Sequence, residues 1–322
     1  MNTNSSMKIK GWKLALIGML TLAAIALSLR PAIIGRAVSA SGTDAQMTFQ
    51  SPAEAATALD QAAKSGNADT LVAVLGGQAK ALITVGDADA GKAAMQTFAD
   101  KYQQMNRWVV MTDGSRVLYI GADNFAFPVP LAKNSSGQWY FDSVAGAEEV
   151  RTRDIGRNEL LTIEACFSLS NAEEIYYASG GDSPEYAQRV VSTAGKKDGL
   201  YWPASEGAVP SPLAYLDELP KSSVASLSPG QPLVLDGYVL RILTAQGDNA
   251  LGQAQNYIVN GKMTDGFAIL ATPVKYAETG IMTFMINREG VVYERDLGAD
   301  TSEIAAAMRE YDPNGNWSPV AQ

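Results

Sequence analysis

The sequence predicts an α+β protein of two domains: helices on a curved antiparallel sheet in the first, and a long helix on an antiparallel meander in the second. Three observations carry this. Residues 51–105 place apolar side chains at helical spacing. Residues 108–141 break instead into short aromatic and β-branched runs parted by turn residues. Residues 155–178 hold the longest helical pattern, and alternating strands return only from Tyr238 onward.

Taken in order, residues 1–41 begin with Lys8, Lys10 and Lys13. A charge-free run of 16 residues follows at 14–29, then the small-residue stretch Ala37-Val38-Ser39-Ala40-Ser41. A basic head, an apolar middle and a small-residue tail form an export pattern. The run is longer than most signal cores and just short of a spanning helix. A signal peptide cut near Ala40 and a retained N-terminal membrane anchor therefore both stand. Either one places the protein outside the cytoplasm, in the periplasm or cell envelope. Residues 42–50, small and polar, read as a linker.

The first domain spans 51–150. Ser51 can cap a helix, Pro52 suits its first turn and Glu54 completes a capping box, with Ala55, Leu59 and Ala62 as the apolar stripe. Asn67 can cap a second helix carrying Leu71, Val74 and Leu75, stopped by Gly76-Gly77. A third helix over 90–105 would bury Ala94, Phe98, Tyr102 and Met105. Strands are predicted at 108–111, 117–120, 125–131 and 139–141, with Asp113-Gly114 and Ser136-Gly137 as turns. The run Phe127-Pro128-Val129-Pro130-Leu131 reads as an edge strand, because proline donates nothing to a ladder.

The second domain spans 151–322. Its helix at 155–178 would turn Leu160, Ile163 and Phe167 to the core, and a further helix is expected over 185–191. Residues 199–236, rich in Pro, Ser and Gly, read as a long loop. Tyr238, Leu240 and Ile242 alternate, as do Met282, Phe284 and Ile286, and Asn287-Arg288-Glu289-Gly290 is a hairpin turn. Asp300 can cap a last helix facing the core through Ile304, Met308 and Tyr311.

Composition excludes several chemistries. The chain has 25 basic and 34 acidic residues, net −9. Five of the basic and none of the acidic residues lie in 1–40, which leaves 20 against 34, net −14, for the exported part. Such a surface repels nucleic acid and anionic lipid. With no histidine and one cysteine, Cys166, imidazole catalysis, histidine metal sites, thiolate cages and an internal disulfide are all excluded. Carboxylates, lysine and tyrosine remain for chemistry, and catalysis becomes the lesser expectation.

Several blocks together resemble the uncharacterised bacterial exported family called domain of unknown function 2950. They are the Phe127–Leu131 run, Trp139-Tyr140-Phe141-Asp142, Arg153-Asp154-Ile155-Gly156-Arg157-Asn158-Glu159, Asp198-Gly199-Leu200-Tyr201-Trp202-Pro203 and Gly266-Phe267-Ala268. Met282-Thr283-Phe284 and Val292-Tyr293-Glu294 add to it. The resemblance brings no activity and no catalytic residue. Residues 155–298 also look like the head of a type IV pilin or pseudopilin, through Asn158-Glu159-Leu160, Gly237-Tyr238, Thr279-Gly280 and Gly290-Val291. The first domain is faintly similar to the cone-shaped fold of the nuclear transport factor family, which often holds a small ligand pocket. A pilin stem is not implied, because no acidic residue precedes Asp44.

Candidate sites are few. Asp198, Tyr201 and Trp202 could form a ligand- or glycan-facing loop, or pin a long loop to the core. Asp87-Ala88-Asp89 and Asp312-Pro313-Asn314-Gly315-Asn316 have alternating oxygen ligands but complete no calcium loop, so no metal and no cofactor is expected. Glu148, Glu149, Arg151 and Arg153 read as a solvated charged face, Asp142 as a single carboxylate, Cys166 as a buried small hydrophobe and Lys196-Lys197 as a turn. The leading expectation is a non-catalytic envelope protein that binds or assembles with an envelope protein partner, touching membrane only through its N-terminal run. The alternative is a small-ligand or glycan binder, marked by a concave apolar pocket near Trp108, Phe127 or Trp139. A carboxylate-based hydrolase comes third.

Overall fold

The computed structural model describes residues 46–80, 88–203, 209–215 and 231–321. The chain divides into two compact units between Val150 and Arg151. The apolar run at 14–29, with its signal and anchor readings, lies outside the described residues. Among the described residues no helix is long and apolar enough to cross a membrane. Nothing among the described residues supports the membrane anchor or the membrane contact expected of it, and nothing there supports the envelope partner.

In the first unit α1 (Pro52–Ser65) starts as its sequence dictates. The Ser51 side chain accepts from Glu54 N, and the Glu54 carboxylate accepts from Gln50 N at 2.8 Å. Gly66, at φ 63°, ends it in the left-handed region that glycine favours. Asn67 caps α2 (Ala68–Leu75) by accepting from Asp69 N and Thr70 N. The third helix, α3 (Ala88–Gln104), buries Met95 and Ala99, with Phe98 and Tyr102 half-buried beside them. Ala94, expected inside, is exposed.

Five short strands follow: β1 (Asn106–Val110), β2 (Arg116–Ile120), β3 (Phe125–Ala126), β4 (Leu131–Lys133) and β5 (Trp139–Phe141). They form an open ladder in the order β1-β2-β4-β5, with β3 on β2. This corrects the expected curved, cone-like sheet. Strands of two to five residues, with β4 joined to β2 through the single pair Arg116–Leu131, do not curl into a cone. The predicted edge strand 125–131 is also cut in two. Pro128 and Pro130 cannot donate, so the chain leaves the ladder after Ala126 and re-enters at Leu131.

The helix α4 (Ser143–Ala178) starts well before the predicted position. Asp142 supplies its cap, accepting from Val144 N at 3.2 Å and Ala145 N at 3.0 Å. The division between the units falls within this helix. In the second unit its buried residues are Ile155, Thr162, Ala165, Cys166, Ser168, Leu169, Ala172 and Glu173, at helical spacing. Leu160 and Phe167, expected in the core, are 50% and 38% exposed.

That sheet is wholly antiparallel, in the order β15-β14-β13-β12-β7-β6. Its strands are β6 (Leu233–Leu235), β7 (Tyr238–Leu243), β12 (Ala268–Pro273), β13 (Met282–Asn287), β14 (Tyr293–Asp296) and β15 (Ser318–Pro319). Between β7 and β12 lie two small ladders, β8 (Ala245–Gln246) with β9 (Gln255–Asn256) and β10 (Ile258–Val259) with β11 (Lys262–Met263). Asp236 and Gly237, at φ 46° and 78°, make the two-residue turn from β6 to β7. Gly280 leaves room for the Tyr238 phenol, which a Cβ there would strike. The Tyr238 hydroxyl donates to the Met282 carbonyl at 2.9 Å.

Two further expectations fail here. Residues 185–191 are not helical: Tyr186 N bonds Met263 O at 2.7 Å and Tyr201 N bonds Val190 O at 2.9 Å, so tertiary partners take the backbone. Asp300 makes no side-chain cap to α5 (Thr301–Ala307); Thr301 Oγ1 donates instead to Gly298 O.

Candidate functional site

The first unit encloses a cavity of about 270 Å³, partly open to solvent. Helical spacing builds most of its wall. Leu59 and Ala63 lie one turn apart on α1, and Leu71 and Leu75 one turn apart on α2. Gly91, Ala94, Met95 and Phe98 form the stripe from α3. The prolines that interrupt the sheet turn Phe127 and Val129 into the same space. Val150 of α4 closes one side. Gly146 makes that approach possible, since a Cβ there would stand 2.7 Å from Val129 Cγ2.

Every described residue lining the cavity is apolar. The nearby polar groups turn elsewhere. Asp60, on α1, accepts from Lys64 Nζ at 2.6 Å and from Gln103 Nε2 at 3.3 Å. Burial, with Asp60 adding to it, raises the Tyr102 phenol above its usual range. An engineered Leu/Ile/Phe-lined cavity of roughly 150 Å³ stays dry and takes up benzene. The cavity here is larger and, unlike that one, partly open to solvent.

Of the three aromatics expected around a pocket, Phe127 lines it. Trp108 packs on Phe141 with ring centroids 6.5 Å apart. Trp139 is 7% exposed, with the Arg116 guanidinium 5.1 Å and the Lys133 ammonium 4.8 Å from its ring centre.

Asp198, Tyr201 and Trp202 come together as a clasp on the loop. The Asp198 carboxylate accepts from Thr193 N at 2.7 Å and Thr193 Oγ1 at 2.9 Å, with Arg189 Nε 4.0 Å away. Burial pushes this carboxyl up, but the Thr193 hydrogen bonds and Arg189 outweigh it and hold it below the usual carboxylate range. Tyr201 bridges Val191 and packs half-buried on the core. Trp202 Nε1 donates to Val209 O at 3.2 Å, and Lys197 covers its ring at 5.5 Å. The Asp198 carboxylate and the Trp202 indole N–H are already engaged.

Asp87 lies outside the described residues. The Asp312 carboxylate is taken by Asn249, through its backbone N at 2.9 Å and its Nδ2 at 3.0 Å. Among the described residues no group of three or more acidic or thiol side chains could hold a metal ion. Glu148, Glu149, Arg151 and Arg153 lie along α4. Cys166 is fully buried, and burial pushes its thiol up to about 12. The Lys196-Lys197 turn is exposed.

Sequence reasoning missed Glu173. It is fully buried on α4; one carboxylate oxygen accepts from Ala187 N at 2.8 Å and the other, Oε1, has no hydrogen-bond partner. Burial raises its pKa well above the usual range, and Glu174 pushes the same way. Asn158 and Glu159 have structural work. Asn158 Nδ2 donates to Thr279 O at 2.9 Å, and the Glu159 carboxylate accepts from Ile281 N at 2.8 Å and Met282 N at 2.9 Å, pinning the entry to β13.

No curated protein and no solved structure matches the chain. The pilin-head and nuclear-transport-factor likenesses accordingly carry nothing forward. Residues 46–320, both units almost entire, match the model of the family described as Protein of unknown function (DUF2950), and the chain belongs to that family.

Proposed function

We propose that the protein is an extracytoplasmic binding protein whose first unit takes up a small apolar molecule. The observation that carries this is the apolar cavity between α1, α2 and α3. Pockets that bind small molecules are concave and mostly apolar, and cores without a ligand to hold are normally packed to near-crystal density. Family membership is consistent with an extracytoplasmic protein. Residues 1–41 act as its export signal, cut near Ala40, which mass spectrometry of the mature N-terminus checks.

The binding test uses N-phenyl-1-naphthylamine, a neutral apolar dye whose fluorescence rises out of water. The chain should bind it saturably. Ala94→Trp, placed on an exposed position of the cavity wall, should abolish binding while leaving the melting temperature within a few degrees. A wild-type chain that binds neither the dye nor, by calorimetry, an alkyl maltoside ends the proposal.

A further inference from the structure

We infer that the occupant of this cavity is the alkyl chain of an amphiphile, inserted chain-first with its polar head left at the mouth. The inference rests on the reading of the first unit as a ligand binder and names the ligand's chemistry. The described lining offers no hydrogen-bond donor or acceptor side chain, so a polar head drawn inside would be desolvated without compensation. The cavity opens to solvent, so a head can stay outside.

Alkyl is favoured over aryl by what the two lining rings already do. Phe98 and Phe127 meet each other edge-on, centroids 5.3 Å apart at 65°. Phe98 stacks on Tyr102 at 6.1 Å, and Phe127 meets Phe141 edge-on at 6.4 Å. Both rings have their aromatic partners, which leaves no pair of faces between which a planar ligand could slide. The rest of the wall is Leu, Val, Ala and the adaptable Met95, which suits a flexible chain.

The test displaces the naphthylamine dye from the full chain with alkyl maltosides from hexyl to dodecyl, below their micelle concentrations. Aryl maltosides of matched apolar area run beside them. Affinity should rise about fourfold per methylene, then level off once the chain fills the cavity. Alkyl phosphocholines of the same length should fall on the same line. Lysophospholipid of matched chain length competing as well as the maltosides would make membrane lipid a source; failure of that arm alone assigns the site to free amphiphiles. Aryl maltosides that bind better than alkyl ones, or a flat dependence on chain length, would overturn the alkyl assignment while dye binding still upholds the binder. Absence of dye binding together with absence of alkyl maltoside binding by calorimetry removes both.

Discussion

In the second unit, Tyr186, Tyr238, Phe267 and Phe284 are all but completely buried, and Glu173, Ser192, Ser211 and Thr283 are sealed in with them. In the first unit, the described helices and short strands leave a partly open space whose described lining side chains are apolar. One unit accepts the cost of buried polar groups to achieve close packing. The other gives up packing, worth roughly 24 cal/mol per Å³ of void, around a space whose described lining side chains are apolar. Such a cost persists where a ligand recovers it. On this contrast rests the proposal that the first unit is the one that binds.

The largest effects separate the units by what a missing side chain leaves behind. Leu169→Ala, in the closed core, should cost about 3–5 kcal/mol, because the walls cannot collapse into the hole. Leu75→Ala, on the cavity wall, should cost nearer ~2 kcal/mol, because that side chain already lacks neighbours on one side. Urea denaturation of both variants measures this. Equal costs would mean that the cavity is filled in solution and would erase the contrast.

A second difference is electrostatic and confined to the second unit. Glu173 keeps its proton in the folded state to a higher pH than in the unfolded chain. Its contribution is therefore fully present below the ordinary glutamate range and is lost as pH rises toward the folded value. Stability should fall with rising pH by at most about 1.4 kcal/mol per unit through that window. Glu173→Gln, which can still accept from Ala187 N, should flatten the slope. Melting temperatures from pH 5 to 8 decide it; identical slopes in wild type and variant would remove Glu173 as the cause.

The smallest effects compare two helix starts. Asn67→Ala removes a side chain that accepts from two backbone N–H groups and should cost about 1 kcal/mol. Asp300→Ala removes one that makes no cap bond and should change stability by less than ~0.5 kcal/mol. Thermal melts of the pair show whether cap geometry, rather than residue type, sets the difference.

The same contrast explains what could be read in advance. The starts of α1 and α2 were legible because Ser51, Glu54 and Asn67 act within four residues of themselves. The turns at Asp113-Gly114 and Asn287–Gly290 are equally local. The early start of α4 was hidden because the charged stretch between Asp142 and Ile155 shows no apolar stripe. Residues 185–191 have helical spacing, but Tyr186 N bonds Met263 O and the Arg189 and Val190 carbonyls accept from Leu200 N and Tyr201 N. Of the cavity wall, only Phe127 was anticipated as pocket-lining. Leu59, Leu71, Leu75 and Phe98 read as core, and an empty volume leaves no mark on the residues around it. Asp198 and Trp202 were open to two readings, a ligand-facing loop or a pin for the loop, and their hydrogen bonds to Thr193 and Val209 are contacts of the second kind.

The burial of Cys166 has a practical and a biological side. A lone surface thiol in an oxidising compartment would couple the protein to whatever other thiol it met. Sealed within the second unit and held protonated, Cys166 cannot be attacked until that core opens. It thereby becomes a native clock. The rate at which a thiol reagent modifies the unaltered protein reports how often the second unit opens, with no engineered probe required.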